Sequence, residues 1–251
     1  MATFVLVHGA WHGGWCWSRL IPFLETAGHR AFGPSLTGLG DRADLLSPEV
    51  GLSTHIQDIV ELIQEQHVRQ VILVGHSYAS MVITGVADRV PGQVGHLVYL
   101  DTFVPRDGEA MSDIGRLGIG RLGIAIFRWQ ARRRGGGWRL DPPRRESFGV
   151  TEESDVKWMR QMLTPQPLKT FEEHLHLSDP DIVSYFPRTH ICCTGRGRLV
   201  SFIRWLAFPR ALPPKGPGWR LRQLRTGHDA MITMPRELAG LLLEIADTVG
   251  L

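Results

Sequence analysis

Four apolar residues of high strand propensity, Val71-Ile72-Leu73-Val74, run directly into Gly75-His76-Ser77-Tyr78-Ala79-Ser80. A serine that ends a buried strand and starts a helix sits on a sharp turn, with its hydroxyl held out of the sheet. The turn admits only small neighbours. Gly75 lies two residues before Ser77 and Ala79 two after it, so the run matches the nucleophile elbow G-x-S-x-G with its last glycine replaced by alanine. The flanks supply the required context, because Met81 to Val90 has the pattern of an amphipathic helix. The chain must therefore contain a strand–turn–helix unit of the kind that builds a parallel sheet.

Two further segments have matching character. Phe4-Val5-Leu6-Val7 is a short apolar strand that enters the glycine-rich loop His8-Gly9-Ala10-Trp11-His12-Gly13-Gly14-Trp15. Such a loop lets backbone N–H groups approach a reacting oxygen. Near the other end, the strand-like Trp219 to Leu224 is followed by Thr226-Gly227-His228-Asp229-Ala230-Met231 and a helix from about Pro235. A histidine just past the last strand can reach a serine across the sheet and act as its base.

Taken with Tyr99-Leu100-Asp101-Thr102-Phe103-Val104-Pro105, these motifs resemble the α/β-hydrolases. They are most similar to the branch holding plant methyl esterases, hydroxynitrile lyases, and bacterial EstC-like and pyrethroid-type esterases. The resemblance spans nearly the whole chain in the right order. It implies an α/β fold, a mostly parallel sheet of about six strands flanked by helices, because the first two strands of the full hydrolase sheet have no counterpart here. Strand candidates are 3–8, 29–36, 71–76, 96–101, 189–194 and 219–224. Helical patterns occupy 17–27, 54–67, 79–90 and 235–249. The long stretch 106–187 follows the fourth strand, where this fold inserts a helical cap. The expected division is thus 1–105 with 188–251 as core and 106–187 as cap.

The resemblance also implies roles. Ser77 is the expected nucleophile, His228 the base, and the backbone N–H groups of Ala10 and Tyr78 the oxyanion hole. His8 and His12 are expected to fix their loop, and His76 to pack beneath the elbow. The third member of the triad departs from the plant pattern, where an aspartate follows the penultimate strand. Here His190-Ile191-Cys192-Cys193-Thr194 is followed by Gly195-Arg196-Gly197, and no Asp or Glu occurs from Ile182 through Gly227. Asp229 adjoins His228, and adjacent side chains diverge. Asp101, at the end of the strand expected beside that of Ser77, is the preferred acid, in line with the EstC-like branch. Loss of an orienting acid can cost about 10⁴ in kcat.

The expected activity is hydrolysis of a carboxylic ester of a small hydrophobic or aromatic substrate through an acyl-enzyme. One alternative is lyase or cyclase chemistry on the same fold, in secondary metabolism. The other is a non-catalytic ligand-binding protein. The positions that hydroxynitrile lyases fill with threonine and lysine are Gly9 and Asp229 here, which argues against cyanohydrin cleavage. Phe127, Trp129, Trp138, Trp158 and Phe171 are of the right type to line a hydrophobic pocket.

Composition narrows the remaining classes. The 251 residues, 43% hydrophobic, suit one α/β domain. Cys16, Cys192 and Cys193 offer neither a disulfide framework nor metal spacing, and the first strand starts almost at Met1, so a cytoplasmic protein is expected. No cofactor or metal is implied, and no phosphate-binding loop is present. The net charge of +3 is mild, and no nucleic-acid module or membrane span is evident. The partner is a small-molecule substrate, and monomer and homodimer are both open. Basic residues cluster at Arg132-Arg133-Arg134 and between Arg188 and Arg225. The first cluster is expected on the surface.

Overall fold

In a computed structural model of the chain, residues 1–114, 119–143, 148–195 and 217–249 are described. The sheet is built from β1 (Thr3–Val7), β2 (Arg30–Phe32), β3 (Val71–His76), β4 (Val94–Leu100), β7 (Arg188–Cys193) and β8 (Trp219–Leu224). All neighbours pair in parallel, in the order β2-β1-β3-β4-β7-β8. A parallel sheet covered on both faces has no polar side to show, which is why β1, β3 and β4 carry the apolar runs Phe4–Val7, Val71–Val74 and Leu97–Leu100. β2 is three residues long, shorter than the expected 29–36, because Gly33 and Pro34 end the strand.

Alternation along the strands divides the core. Val5, Val7, Leu73, Leu97 and Tyr99 face α2 (Leu52–Glu65) and α3 (Ala79–Arg89). Phe4, Leu6, Ile72, Val74, Val98 and Leu100 pack with Leu24 of α1 (Ile21–Thr26) and the apolar face of α8 (Pro235–Val249). The short α7 (Ala230–Thr233) precedes α8.

Between β4 and β7 the chain forms α4 (Ile119–Arg134), α5 (Glu153–Met162) and α6 (Lys169–Glu172). It also forms a two-stranded antiparallel ribbon of β5 (Arg139–Leu140) and β6 (Gln166–Pro167). This insertion contributes to both cores: Ile124, Leu140 and Phe171 join the first, and Phe148, Val156 and Met159 the second. The sheet order reverses direction between β1 and β3, and the carboxyl ends of strands at such a point form the crevice where open α/β sheets bind ligands.

Candidate active site

Ser77 follows β3 with φ of +54°, a left-handed conformation that a non-glycine residue adopts only under constraint. Such a residue costs about 1–3 kcal/mol and persists where its surroundings hold it. Its amide donates to Leu100 O at 3.2 Å, and its carbonyl accepts from Thr102 Oγ1 at 2.6 Å. Gly75 is required two residues earlier, since a Cβ there would lie 2.8 Å from the carbonyl oxygen of Ala79 and 2.9 Å from Ile83. Tyr78, the next residue after Ser77, is fully buried, and its hydroxyl donates to His55 Nδ1 at 3.0 Å. Burial lowers the pKa of His55 to about 4, so the ring is neutral, with Nε2–H donating to Thr37 O.

Asp101 occupies the equivalent place on the neighbouring strand. His76 and Leu100 are register partners, so Ser77 and Asp101 each stand one residue past the last rung. Asp101 is also left-handed, with φ of +45°, and its amide donates to Ile191 O at 2.7 Å. The residue is 2% exposed. Oδ1 accepts from the amide of Cys193 at 3.2 Å, and Oδ2 accepts from His228 Nδ1 at 2.6 Å. That bond fixes the tautomer of His228 and leaves Nε2 as the proton acceptor. His228 reaches the elbow from the loop after β8. His76 Nε2 donates to its carbonyl at 3.1 Å, and the two rings lie 4.4 Å apart. His76 is held neutral, its pKa pushed well below the usual value by burial and then by His228.

After β7, where the plant pattern puts the acid, Gly195 backs directly onto Thr226. A Cβ at 195 would lie 2.7 Å from that backbone. The tract that begins at Arg196 lies outside the described residues up to 216, as do Arg144 and Arg145.

The glycine-rich loop crosses the elbow. A Cβ on Gly9 would sit 2.9 Å from His76 Nδ1 and 3.1 Å from Ser77 Cβ, so only glycine allows this approach. Ala10 follows, and among the described residues the amides of Ala10 and Tyr78 donate to no protein acceptor. Two unspent N–H groups beside a serine are the donors an oxyanion hole requires. His8 is buried and its pKa is lowered to about 3, mainly by desolvation; its Nδ1 donates to Gly9 O and its Nε2 accepts from Leu36 N.

Asp229 has a structural part that sequence reasoning left unassigned. It is fully buried, and its hydrogen bond goes to His12 rather than to His228, with Oδ2 3.1 Å from His12 Nε2. His12 Nδ1 lies 2.8 Å from Ala10 O. Both ring nitrogens thus face acceptors, which only the imidazolium satisfies. Burial pushes the His12 pKa down, but the charge and hydrogen bond of Asp229 outweigh it and the net shift is upward. Burial likewise opposes ionisation of Asp229, and His12 outweighs it in turn, so its pKa falls. The signal was a carboxylate inside an apolar run, Asp229-Ala230-Met231-Ile232. A charge there must be buried with a partner.

An aromatic wall stands over the loop. Trp11 meets Phe127, Phe148 and Phe171 at ring distances of 6.3, 6.4 and 5.6 Å, and Phe171 also meets Tyr78 at 5.9 Å. Of the other aromatic residues expected near a pocket, Trp158 packs on Trp15 and Arg19, and Trp129 is 54% exposed beneath Arg133. Among the described residues one trio of potential metal-binding atoms converges, on His76, His228 and Asp229, all within 4.8 Å. The hydrogen bonds of His76 to the His228 carbonyl and of Asp229 to His12 account for that convergence, and no metal is assigned.

Asp101 and His228 are thus hydrogen-bonded at the carboxyl ends of the central parallel strands, one strand from Ser77. The chain belongs to the alpha/beta hydrolase family. The family's pattern matches residues 4–241. Among relatives, a carbendazim hydrolyzing esterase of Nocardioides sp. (strain SG-4G) is 39% identical over 248 residues, covering 95% of this chain and 97% of that protein. Salicylic acid-binding protein 2 of Nicotiana tabacum is 27% identical over 272 residues, with 97% and 96% coverage. Among solved structures, a variant of tomato methylketone synthase I complexed with beta-ketoheptanoate aligns with a TM-score of 0.77 at 20% identity. The alignment covers 99% of this chain and 98% of that one. The alpha/beta hydrolase fold is therefore shared with proteins of differing chemistry.

Proposed function

We propose that this alpha/beta hydrolase cleaves carboxylic esters through an acyl-enzyme on Ser77. The observation that carries the reading is the 2.6 Å bond from His228 to the buried Asp101, on the strand next to the elbow. With Nδ1–H bonded to the carboxylate, His228 Nε2 takes the Ser77 proton as Oγ attacks the ester carbonyl. The carbonyl oxygen becomes an alkoxide and is held by the amides of Ala10 and Tyr78. When the tetrahedral adduct collapses, the alcohol leaves with the proton from His228. Water then attacks the acyl group, gives its proton to His228, and releases the acid as Oγ is reprotonated.

The insertion acts as a cap in this reading. Half-buried Trp11 and Phe127, with Phe171 behind them, favour a flat apolar acyl or alcohol group. Asp229 is paired with His12, and Gly9 has no side chain, so neither supplies the cation or hydroxyl that cyanohydrin cleavage calls for. None of the three cysteines is in a disulfide, which fits a reducing compartment such as the cytoplasm.

The test is treatment with a fluorophosphonate and mapping of the labelled peptide, alongside hydrolysis of aryl esters and of carbendazim. Labelling at Ser77, lost together with turnover in a folded Ser77→Ala variant, is the expected result. Full ester cleavage by pure Ser77→Ala would overturn the assignment.

A further inference from the structure

Three of the described non-glycine residues with positive φ lie just past the carboxyl ends of adjacent strands: Trp11 after β1, Ser77 after β3 and Asp101 after β4. Ser77 and Asp101 are held by the sheet and by each other's neighbours. Trp11, with φ of +64°, is held differently. Its amide donates to Gln166 Oε1 at 2.9 Å, its carbonyl accepts from Thr164 N at 3.0 Å, and its indole Nε1 donates to Leu140 O at 3.2 Å. Every one of these partners belongs to the insertion. The rings of Phe127, Phe148 and Phe171 that flank the indole belong to it as well.

Gln166 is built for this contact. It is fully buried on β6, opposite Leu140 on β5, so the two acceptors that hold Trp11 are register partners of one ribbon. Its Nε2 donates to Thr170 Oγ1 at 2.7 Å, and that hydroxyl donates to Pro167 O at 2.7 Å. The amide group is thereby locked with its oxygen toward the loop, and no polar atom is left over. The peptide plane between Ala10 and Trp11 is set on its Trp11 side by this bond. The Ala10 N–H belongs to the preceding peptide plane, whose Gly9 carbonyl accepts from His8 Nδ1 at 2.8 Å, while the Ala10 carbonyl accepts from His12 Nδ1, so Gln166 acts on that N–H through the Ala10 backbone torsions.

We propose that Gln166 is a positioning residue that aims the Ala10 amide at the oxyanion, so that the cap completes the oxyanion hole as well as walling the pocket. The idea rests on the esterase reading above. Without Gln166 the amide of Trp11 loses its buried acceptor, and the left-handed conformation loses a restraint that opposes its strain. The loop then relaxes, and the Ala10 N–H leaves the place where charge develops. Geometry errors of this kind affect the transition state more than the bound substrate.

The experiment is Gln166→Met, which keeps the volume and removes the acceptor, assayed on aryl esters whose acyl groups differ in size. Wild type is first shown to cleave them and to carry fluorophosphonate on Ser77. If it does not, the esterase reading fails whatever Gln166 does. With that established, kcat should fall about 10- to 100-fold, less than the 10²–10³ seen when an oxyanion donor is deleted. KM should stay within about twofold, and the loss should be alike for all acyl sizes. An unchanged kcat, or a loss that appears in KM and grows with acyl size, would overturn the proposal and leave Gln166 a pocket wall. Should Gln166→Met fail to fold, Thr170→Val serves. It releases the far end of the amide while Trp11 keeps its acceptor. Tyr78→Phe is run beside it, because the same hydroxyl also bonds the Tyr78 side chain. Thr170→Val should give the same kcat pattern, with a loss smaller than that of Gln166→Met and larger than that of Tyr78→Phe. A Thr170→Val enzyme with wild-type kcat would count against the proposal equally.

Discussion

At the scale of single residues, the site depends on backbone conformations that most side chains avoid. Ser77 and Asp101 are both left-handed, and both are held by hydrogen bonds that their backbone amides donate to the next strand, from Ser77 N to Leu100 O and from Asp101 N to Ile191 O. The sheet therefore sets the strain, and the strain turns the hydroxyl and the carboxylate out of the strand ends. Asp101→Asn tests the polar half of this arrangement. The amide side chain can present its NH₂ to His228 Nδ1 and so select the wrong tautomer, and kcat should fall by about 10³- to 10⁴-fold. Circular dichroism should remain that of wild type. A loss of less than about tenfold would show that His228 does not need the carboxylate. Gly9→Ala tests the steric half. Its methyl would meet His76 and Ser77 at 2.9 and 3.1 Å, so the loop must lift from the elbow. Turnover should drop at least tenfold, on the order of a weakened oxyanion contact, while the thermal midpoint moves little.

At the scale of elements, legibility followed locality. The buried strands, the elbow helix and the loop after β8 each carry their signal within a dozen neighbouring residues, so the six-stranded sheet and the places of Ser77 and His228 in it could be read from the chain. Asp101 needed a further step, the adjacency of β4 to β3. The contacts of Asp229 and Gln166 could not be read, because each joins segments more than 150 residues apart through a side chain whose direction the sequence does not show. The His12–Asp229 pair ties the loop after β1 to the loop after β8, and it has a pH signature. His12 has a raised pKa, so its share of the stability is complete below its unfolded value near 6.5 and is lost as pH rises through the folded value. Asp229 has a lowered pKa, so its share is present above the unfolded value of 3.8 and is lost as pH falls through the folded one. The pair is fully effective between those limits. Asp229→Asn should therefore cost the most stability near pH 5 to 6, about 3–5 kcal/mol for breaking a buried pair. The gap to wild type should narrow steadily above neutrality, in denaturant titrations run at each pH. A gap that stays constant from pH 5 to pH 10 would mean that His12 is neutral throughout.

At the scale of the whole molecule, one block of positive charge stands on the surface of the insertion. The formal net charge is +3, and Arg132, Arg133 and Arg134 are all exposed in the last turn of α4, where positive charge complements the helix dipole. Arg133 lies over the Trp129 ring at 4.7 Å, on the outer side of the insertion. Among the described residues no helix is long and apolar enough to cross a membrane. Exposed side chains of this kind act on catalysis through the long-range field of the molecule. Replacing all three with glutamine takes the formal charge from +3 to 0. For an uncharged aryl ester, kcat and KM should both stay within about twofold of wild type, since a neutral molecule is not steered. For an ester bearing a carboxylate, kcat/KM should fall several-fold in low salt through slower capture, with kcat unchanged. Raising the ionic strength to about 1 M shortens the screening length to about 3 Å and should erase that difference. A loss in kcat with the neutral ester would instead mean that the end of α4 shapes the pocket itself, and that the insertion transmits packing rather than charge to Ser77.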